Sequence, residues 1–175
     1  TLVESIEKYR ETTGLEIFLL QASSSEMFGP DHQSPITETT SHDPRSPYAK
    51  HKSMAHTLCI NARVDRGINI GTAILFNHES PLRPINFVTR KISKGVADIC
   101  EGKATNLTLG NIDISRDWGW APDYVDGMIA ILENKQPDDF ILATGITHTL
   151  KDFLSEAFAH IGISDWANYV VVDRD

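Results

Sequence analysis

The chain has 175 residues, of which 41% are hydrophobic and 23% are charged, and its formal net charge is -8 at pH 7. This composition is ordinary for a globular protein, and an acidic chain without a long basic run argues against a nucleic-acid partner. No apolar run is long enough to cross a bilayer and no signal peptide is recognisable, so we expect a cytoplasmic protein without a membrane partner. Cys59 and Cys100 are the two cysteines, and their apolar helical surroundings favour free thiols, with no spacing for a zinc site.

Helical and strand patterns alternate along the chain, which predicts an α/β fold with a mostly parallel sheet covered by helices. In chain order the sequence predicts a helix from Leu2 to near Gly14, a buried strand at 16–22, a loop at 23–47, a helix at 48–66 ending at Gly67, a buried strand at 68–76, a loop at 77–81, a helix at 87–100 closed by Gly102, a strand at 107–109, a helix at 122–132, a strand at 140–143, a helix opened by Thr149, and a strand at 169–172.

Polar residues follow the first two predicted strands. Ser24 and Glu26 come directly after the first strand, and residues 77–79 follow the second. Ligands bind at the carboxyl ends of the strands in parallel sheets, so we expect both segments to face one crevice. The alternative for the serines is turn and capping chemistry, and for Glu26 a cap or an ion pair.

Tyr48 and Lys52 are spaced i and i+4 at the start of a predicted helix, so they lie on one face of it. A nearby ammonium favours the phenolate form of a tyrosine, and a phenolate can take a proton from a sugar hydroxyl. The pattern is short, and a chance surface pair is the alternative. The serines and Glu26 lie upstream of Tyr48 and Lys52. A sequence that carries both groups is less common than one that carries either group alone.

Five segments together resemble the extended short-chain dehydrogenase/reductases, and more closely the GDP-mannose 4,6-dehydratases. They are QASSSEMFG at 21–29, PRSPYAKHK at 44–52, ILFNHESP at 74–81, NFVTRKIS at 86–93 and LGNIDISRDWGWAPDYV at 109–125. The resemblance covers nearly the whole chain. It implies part of a doubly wound, Rossmann-like parallel sheet plus a smaller C-terminal substrate-binding region. Residues 1–76 would form the second half of an NADP-binding domain with the catalytic residues, and 77–175 would hold the substrate-binding part and the last core elements.

The resemblance also implies roles for nine residues. The implied catalytic residues are Ser24, Glu26, Tyr48 and Lys52, the implied NADP contacts are Lys52, His78 and Arg83, and the implied substrate contacts are Asn77, Lys91 and Arg116. No metal is expected. A capping or core-polar role is the alternative for His78, and an ion pair with Asp117 is the alternative for Arg116. The family's diarginine appears here as Leu82-Arg83, so only the second arginine is kept.

The implied activity is the NADP-dependent, redox-neutral conversion of GDP-mannose to GDP-4-keto-6-deoxymannose by a homo-oligomer, either a dimer or a tetramer. A non-catalytic nucleotide-sugar-binding module and a related epimerase or reductase are the alternatives. The family's glycine-rich strand–turn–helix, which cradles a pyrophosphate, is absent from this sequence. We therefore expect a fragment that lacks the N-terminal glycine-rich segment and the C-terminal end.

Overall fold

The computed structural model describes residues 1–30 and 35–173. The chain forms two compact units: the first comprises Thr1–His78 and Ala121–Ala143, and the second comprises Glu79–Trp120 and the chain from Thr144 onward. The chain leaves the first unit after His78 and returns to it for Ala121–Ala143. The expected division at residue 76 stays a prediction.

The elements follow one another in the order that the sequence predicts, with three additional short strands. In chain order they are α1 Leu2–Thr13, β1 Leu19–Ser24, a 3₁₀ turn Ser25–Phe28, α2 Pro47–Arg66, β2 Ile70–Leu75, β3 Asn77–Glu79, α3 Val88–Cys100, β4 Leu107–Leu109, β5 Ser115–Trp120, α4 Ala121–Asn134, β6 Asp139–Leu142, β7 Thr147–Thr149, α5 Leu150–Ala159, a second 3₁₀ turn Trp166–Tyr169, and β8 Val170–Val172.

The first unit contains a parallel sheet with the strand order β1-β2-β6. This confirms the predicted fold class. The central strand β2 is buried from Ile70 to Ile74, as expected of a strand covered on both faces. By contrast, β1 begins at Leu19 rather than at residue 16, and its residues from Leu19 to Ala22 are only half-buried. This partial exposure shows that the expectation of a strand buried on both faces is wrong for Leu19 to Ala22.

Helix α2 has the boundary residues that the sequence predicts. The Ser46 side chain caps the helix by accepting a bond from Ala49 N at 3.0 Å, and Pro47 occupies its first position. Gly67 ends it in the left-handed conformation, with φ of 59°. The buried face of the helix packs Cys59 and Ala62 against α1 and the sheet. These signals place Tyr48 in the first helical turn.

The second unit has its own hydrophobic core between α3, α5 and β4. Its buried residues are Ile92, Val96, Leu107, Leu109, Ile112, Leu150, Leu154 and Phe158. Phe153 and Ala157 of α5, and Ile161 just beyond its end, pack against this core as well. Thr149 opens α5 in a capping box with Asp152, which confirms the predicted start.

Three short strands were not predicted: β3, β5 and β7. The sequence analysis treats residues 77–81 as a loop, whereas Asn77–Glu79 is a strand. β5 and β7 pair antiparallel, with Arg116 opposite His148. They are rich in polar residues and lack a buried alternating face, so their strand conformation depends on pairing across the fold.

Both cysteines are free thiols, as predicted; Cys59 is buried and Cys100 is exposed. Within residues 1–30 and 35–173, no helix combines the length and apolarity that a membrane span requires.

Candidate active site

The end of β1 turns directly into the 3₁₀ turn that carries Glu26. Ser24 caps this turn, because its Oγ accepts a bond from Glu26 N at 3.3 Å. Met27 and Phe28 anchor the turn in the core, and Glu26 itself is exposed. The capping alternative for Ser24 is therefore realised. A hydroxyl that accepts a capping bond can still donate its own proton, so the two roles are compatible.

Gly29 closes this turn against the loop that precedes α2. Its φ is 76°, and a Cβ added there would lie 2.3 Å from Asp43 O. Asp43 N also donates to Met27 O at 3.0 Å. Only glycine fits this close approach of two backbones. The loop before Tyr48 is thus held against the segment that carries Glu26.

Tyr48 and Lys52 lie on one face of α2, as their spacing predicts. Lys52 Nζ is 5.7 Å from the centre of the Tyr48 ring, and it donates to Ala22 O at 2.9 Å. Tyr48 is 55% exposed, so its phenol is open to a ligand. The Lys52 bond joins the first turns of α2 to β1, two residues before Ser24. All four predicted catalytic residues therefore lie on two adjacent segments of the first unit.

Asn77 and His78 follow β2, the parallel neighbour of β1. The His78 ring nitrogen Nδ1 lies 2.8 Å from Phe76 O. A carbonyl oxygen only accepts, so Nδ1 carries the proton and Nε2 is left as an acceptor in the neutral ring. The ring also lies 5.0 Å from that of Tyr124, centre to centre. These two contacts fix the orientation of a half-buried histidine.

The other three predicted contacts lie in the second unit. Arg83 is the most constrained: its Nε is 3.1 Å from Glu79 Oε2, and its guanidinium carbon is 3.7 Å from the centre of the Phe87 ring. It lines a groove of about 580 Å³ together with Trp118, Trp120 and His148. Lys91 is exposed on α3 and is not one of the residues that line this groove.

Arg116 is exposed on β5, and its Nη1 donates to Ser115 O at 2.8 Å. The neighbouring Asp117 is buried and accepts bonds from Thr144 N, Thr144 Oγ1 and Gly145 N at 3.1, 2.7 and 2.8 Å. Asp117 therefore holds the turn before β7. The Asp117 carboxylate makes these bonds instead of the suggested ion pair with Arg116.

A polar cluster that was not predicted lies beside the predicted catalytic residues. Ser23 Oγ lies 2.9 Å from His56 Nδ1, and both residues are buried. The His42 ring is 5.2 Å from the His56 ring, and its Nδ1 lies 2.9 Å from Ser53 Oγ. The sequence carries one signal for this cluster, which is spacing: His56 follows Lys52 at i+4, so the two residues lie on the same face of a helix. Burial lowers the pKa of His56, and the positive charges of His42 and Arg63 lower it further against the opposing effect of Asp139.

Comparison with known proteins identifies the family. The family model for GDP-mannose 4,6 dehydratase matches residues 1–174. GDP-mannose 4,6 dehydratase 1 of Arabidopsis thaliana is 45% identical over 173 residues, which are 99% of this chain and 47% of that protein. The human GDP-mannose 4,6 dehydratase is 46% identical over 154 residues, which are 87% of this chain and 41% of that protein. The chain thus spans about half the length of these relatives.

Solved structures show the same fold. RMD from Pseudomonas aeruginosa, complexed with NADPH, superposes with a TM-score of 0.86 at 23% identity, covering 98% of this chain and 59% of that one. The dTDP-glucose 4,6-dehydratase from Bacillus anthracis, in complex with NAD, also gives 0.86 at 19% identity, covering 99% and 53%. Since the family model matches almost every residue, the chain belongs to the GDP-mannose 4,6-dehydratase family, as its motifs predict.

Proposed function

We propose that the intact gene product converts GDP-mannose to GDP-4-keto-6-deoxymannose with NADP as its cofactor. The observation that carries the proposal is the 2.9 Å bond from Lys52 Nζ to Ala22 O. This bond fixes the turn that bears Tyr48 and Lys52 to the strand that leads into Ser24 and Glu26. An acid, an alcohol, a phenol and an amine on adjacent segments are the groups that a 4,6-dehydration needs. The relatives named GDP-mannose 4,6 dehydratase support the choice of substrate.

The residues present fit a nicotinamide cofactor. The Lys52 ammonium has three protons, and its bond to Ala22 O uses one of them, so the others can bind ribose hydroxyls. His78 offers Nε2 as an acceptor from the fixed ring described above. A cofactor bound there supplies a hydride acceptor for C4 of the sugar and a hydride donor for C6. NADP rather than NAD is proposed from the family resemblance, and the NADPH complex of the Pseudomonas aeruginosa protein supports it.

The chain's own residues would then move the protons. Tyr48 as phenolate takes the proton of the C4 hydroxyl, and Ser24 Oγ donates a hydrogen bond to the oxygen that becomes the 4-ketone. The ketone acidifies the proton on C5, which Glu26 removes. Glu26 passes that proton to the C6 hydroxyl, which leaves as water. The proton that Tyr48 took from the C4 hydroxyl is given back, directly or through solvent, as the proton that C5 regains, so the sugar loses one water and no net electrons.

The remaining predicted residues would hold the ligands. We propose Asn77 beside the sugar, Lys91 and Arg116 on the GDP phosphates, and His78 with Arg83 on the cofactor. Lys91 and Arg116 are exposed cations suited to phosphate oxygens. Arg83 is already paired with Glu79, so a ligand phosphate would compete with that carboxylate. The protein would act in the cytoplasm as a homo-oligomer, a dimer or a tetramer.

The variant Glu26→Gln tests this mechanism in the intact gene product supplied with GDP-mannose and NADP. We expect the formation of the 4-keto-6-deoxy product to fall by at least about 100-fold, because the variant lacks the acid–base group. Oxidation at C4 should survive and appear as transient NADPH absorbance. Glu11→Gln is the matched control, since Glu11 is exposed on α1 of the same unit, and it should leave turnover unchanged.

Three outcomes would contradict the proposal. Elimination of water by Glu26→Gln at the normal rate would show that Glu26 does not carry the proton. Binding of GDP-mannose by the wild-type protein without turnover would favour a non-catalytic module. A 4-epimer or a reduced sugar as the product would favour a related epimerase or reductase.

A further inference from the structure

Two side-chain bonds join α2 to β1 at consecutive strand residues. Lys52 bonds Ala22 O, and His56, one helical turn later, bonds Ser23 Oγ, both at 2.9 Å. A single bond would let the helix pivot about one point. Two bonds from successive turns to successive strand residues restrict both rotation and sliding of α2 along β1. The next residue of the strand is Ser24.

The His56 bond extends into a network that reaches four segments that carry or flank the predicted catalytic residues. His42 lies in the loop before α2, its ring packs 5.2 Å from that of His56, and its Nδ1 bonds Ser53 of α2. The edge of the Phe28 ring packs against His42 with 5.5 Å between ring centres and an angle of 73°. Phe28 ends the 3₁₀ turn that carries Glu26. The network therefore links β1, the 3₁₀ turn, the loop before Tyr48, and α2.

We propose that His56 is a positioning residue, which through Ser23 sets the place of Ser24 relative to Tyr48 for the proposed dehydration. The inference rests on the proposed function and adds a residue to which the family resemblance assigns no role. His56 touches neither the sugar nor the cofactor in this account. Productive geometry at a reacting centre has to be held within about 0.5 Å, so a small shift of β1 against α2 would already misplace Ser24.

Burial protects the hydrogen bond between His56 and Ser23 from competition with water. His56 and Ser23 are 1% and 2% exposed, so water does not compete for the imidazole or the hydroxyl. Burial also disfavours the charged ring, which leaves a neutral imidazole with one donor and one acceptor nitrogen. Either partner can then donate across the 2.9 Å contact without a charged group being buried.

The test is a double-mutant cycle with Ser23→Ala, His56→Phe and the double variant in the intact gene product. We expect each single variant to lower kcat about 10-fold with an unchanged KM for GDP-mannose, and the double variant to lose no more than either. Two independent packing defects would instead multiply to about 100-fold. Cys59→Ala is the matched control, because Cys59 is equally buried one turn along α2 but faces the α1 side. It should lower thermal stability and leave kcat unchanged.

Crystal structures of the same variants provide a readout that does not require turnover. In Ser23→Ala and His56→Phe we expect the distance from Ser24 Oγ to Tyr48 Oη to change by at least about 0.5 Å, and in Cys59→Ala to stay as in the wild type. An unchanged distance in folded variants overturns the proposal, as does a multiplicative loss of kcat. If the wild-type protein does not dehydrate GDP-mannose, the proposed function fails, and the distance alone then decides the positioning role.

Discussion

The partly buried ion pair between Arg63 and Asp139 should be the most sensitive polar contact of the first unit. The two side chains are each 14% exposed and form two bonds, with Nη1 3.1 Å from Oδ1 and Nη2 2.9 Å from Oδ2. Thr72 Oγ1 donates to the same carboxylate at 2.8 Å. The pair joins α2 to the strands β2 and β6, and so holds the returning segment Ala121–Ala143 in place.

The substitution Asp139→Asn keeps the shape of the side chain but leaves the Arg63 guanidinium without a counter-charge. Removing one partner of a buried pair costs about 3–5 kcal/mol, whereas an exposed pair contributes about 0–1 kcal/mol. The small remaining exposure places this pair near the low end of the buried range, at about 3 kcal/mol. For a chain of this size that loss lowers Tm by about 6–12 °C.

Thermal unfolding followed by circular dichroism measures this loss. The control is Lys94→Gln, because Lys94 pairs with Asp98 on the surface of α3, with side chains 53% and 25% exposed. It should lower Tm by about 2 °C or less. The double variant Arg63→Met/Asp139→Leu should recover most of the stability that Asp139→Asn loses. If Asp139→Asn and Lys94→Gln shift Tm equally, solvent screens the pair and the argument from burial is wrong.

Further predictions concern a glycine, a histidine and the two thiols. Gly29→Ala should destabilise the protein by about 2 kcal/mol or more in urea unfolding, because the new Cβ meets Asp43 O; an unchanged midpoint would contradict the backbone contact. Because the pKa of His56 is lowered in the folded state, the stability linked to it is present above the ordinary value of about 6.5 and is lost as pH falls below it. His56→Phe should remove that part of the dependence of Tm on pH. With a thiol reagent, exposed Cys100 should react at once and Cys59 only on unfolding, since burial raises its pKa; equal rates would contradict its burial.

Local signals in the sequence were sufficient for much of the fold. Pro47 begins α2, and Gly14 and Gly67 end α1 and α2. Each of these residues determines a helix end next to itself in the sequence, so the bounds of both helices could be predicted from contiguous residues. Continuous apolar runs gave β2 and β6 for the same reason. The family motifs are also contiguous, and they led to the correct family.

Pairing across long sequence separations decided the rest. Residues Ser115–Trp120 become a strand by pairing with Asn77–Glu79 on one side and Thr147–Thr149 on the other, and both partners are distant in the sequence. Arg63 and Asp139 are 76 positions apart, and Ser23 and His56 are 33 apart. No local period marks such pairs, since a polar residue that will be buried with a distant partner has the same sequence pattern as one that stays in water.

The sequence by itself therefore determined the helices, the central strands, the candidate catalytic residues and the family. Tertiary structure alone decided that Ala121–Ala143 returns to the first unit and that Lys52 and His56 join α2 to β1. It also decided that the Asp117 carboxylate bonds the turn before β7 and does not pair with Arg116. The physical reason is that propensity and capping act within a few residues of the chain, whereas burial and hydrogen bonding depend on which distant segments the fold brings together.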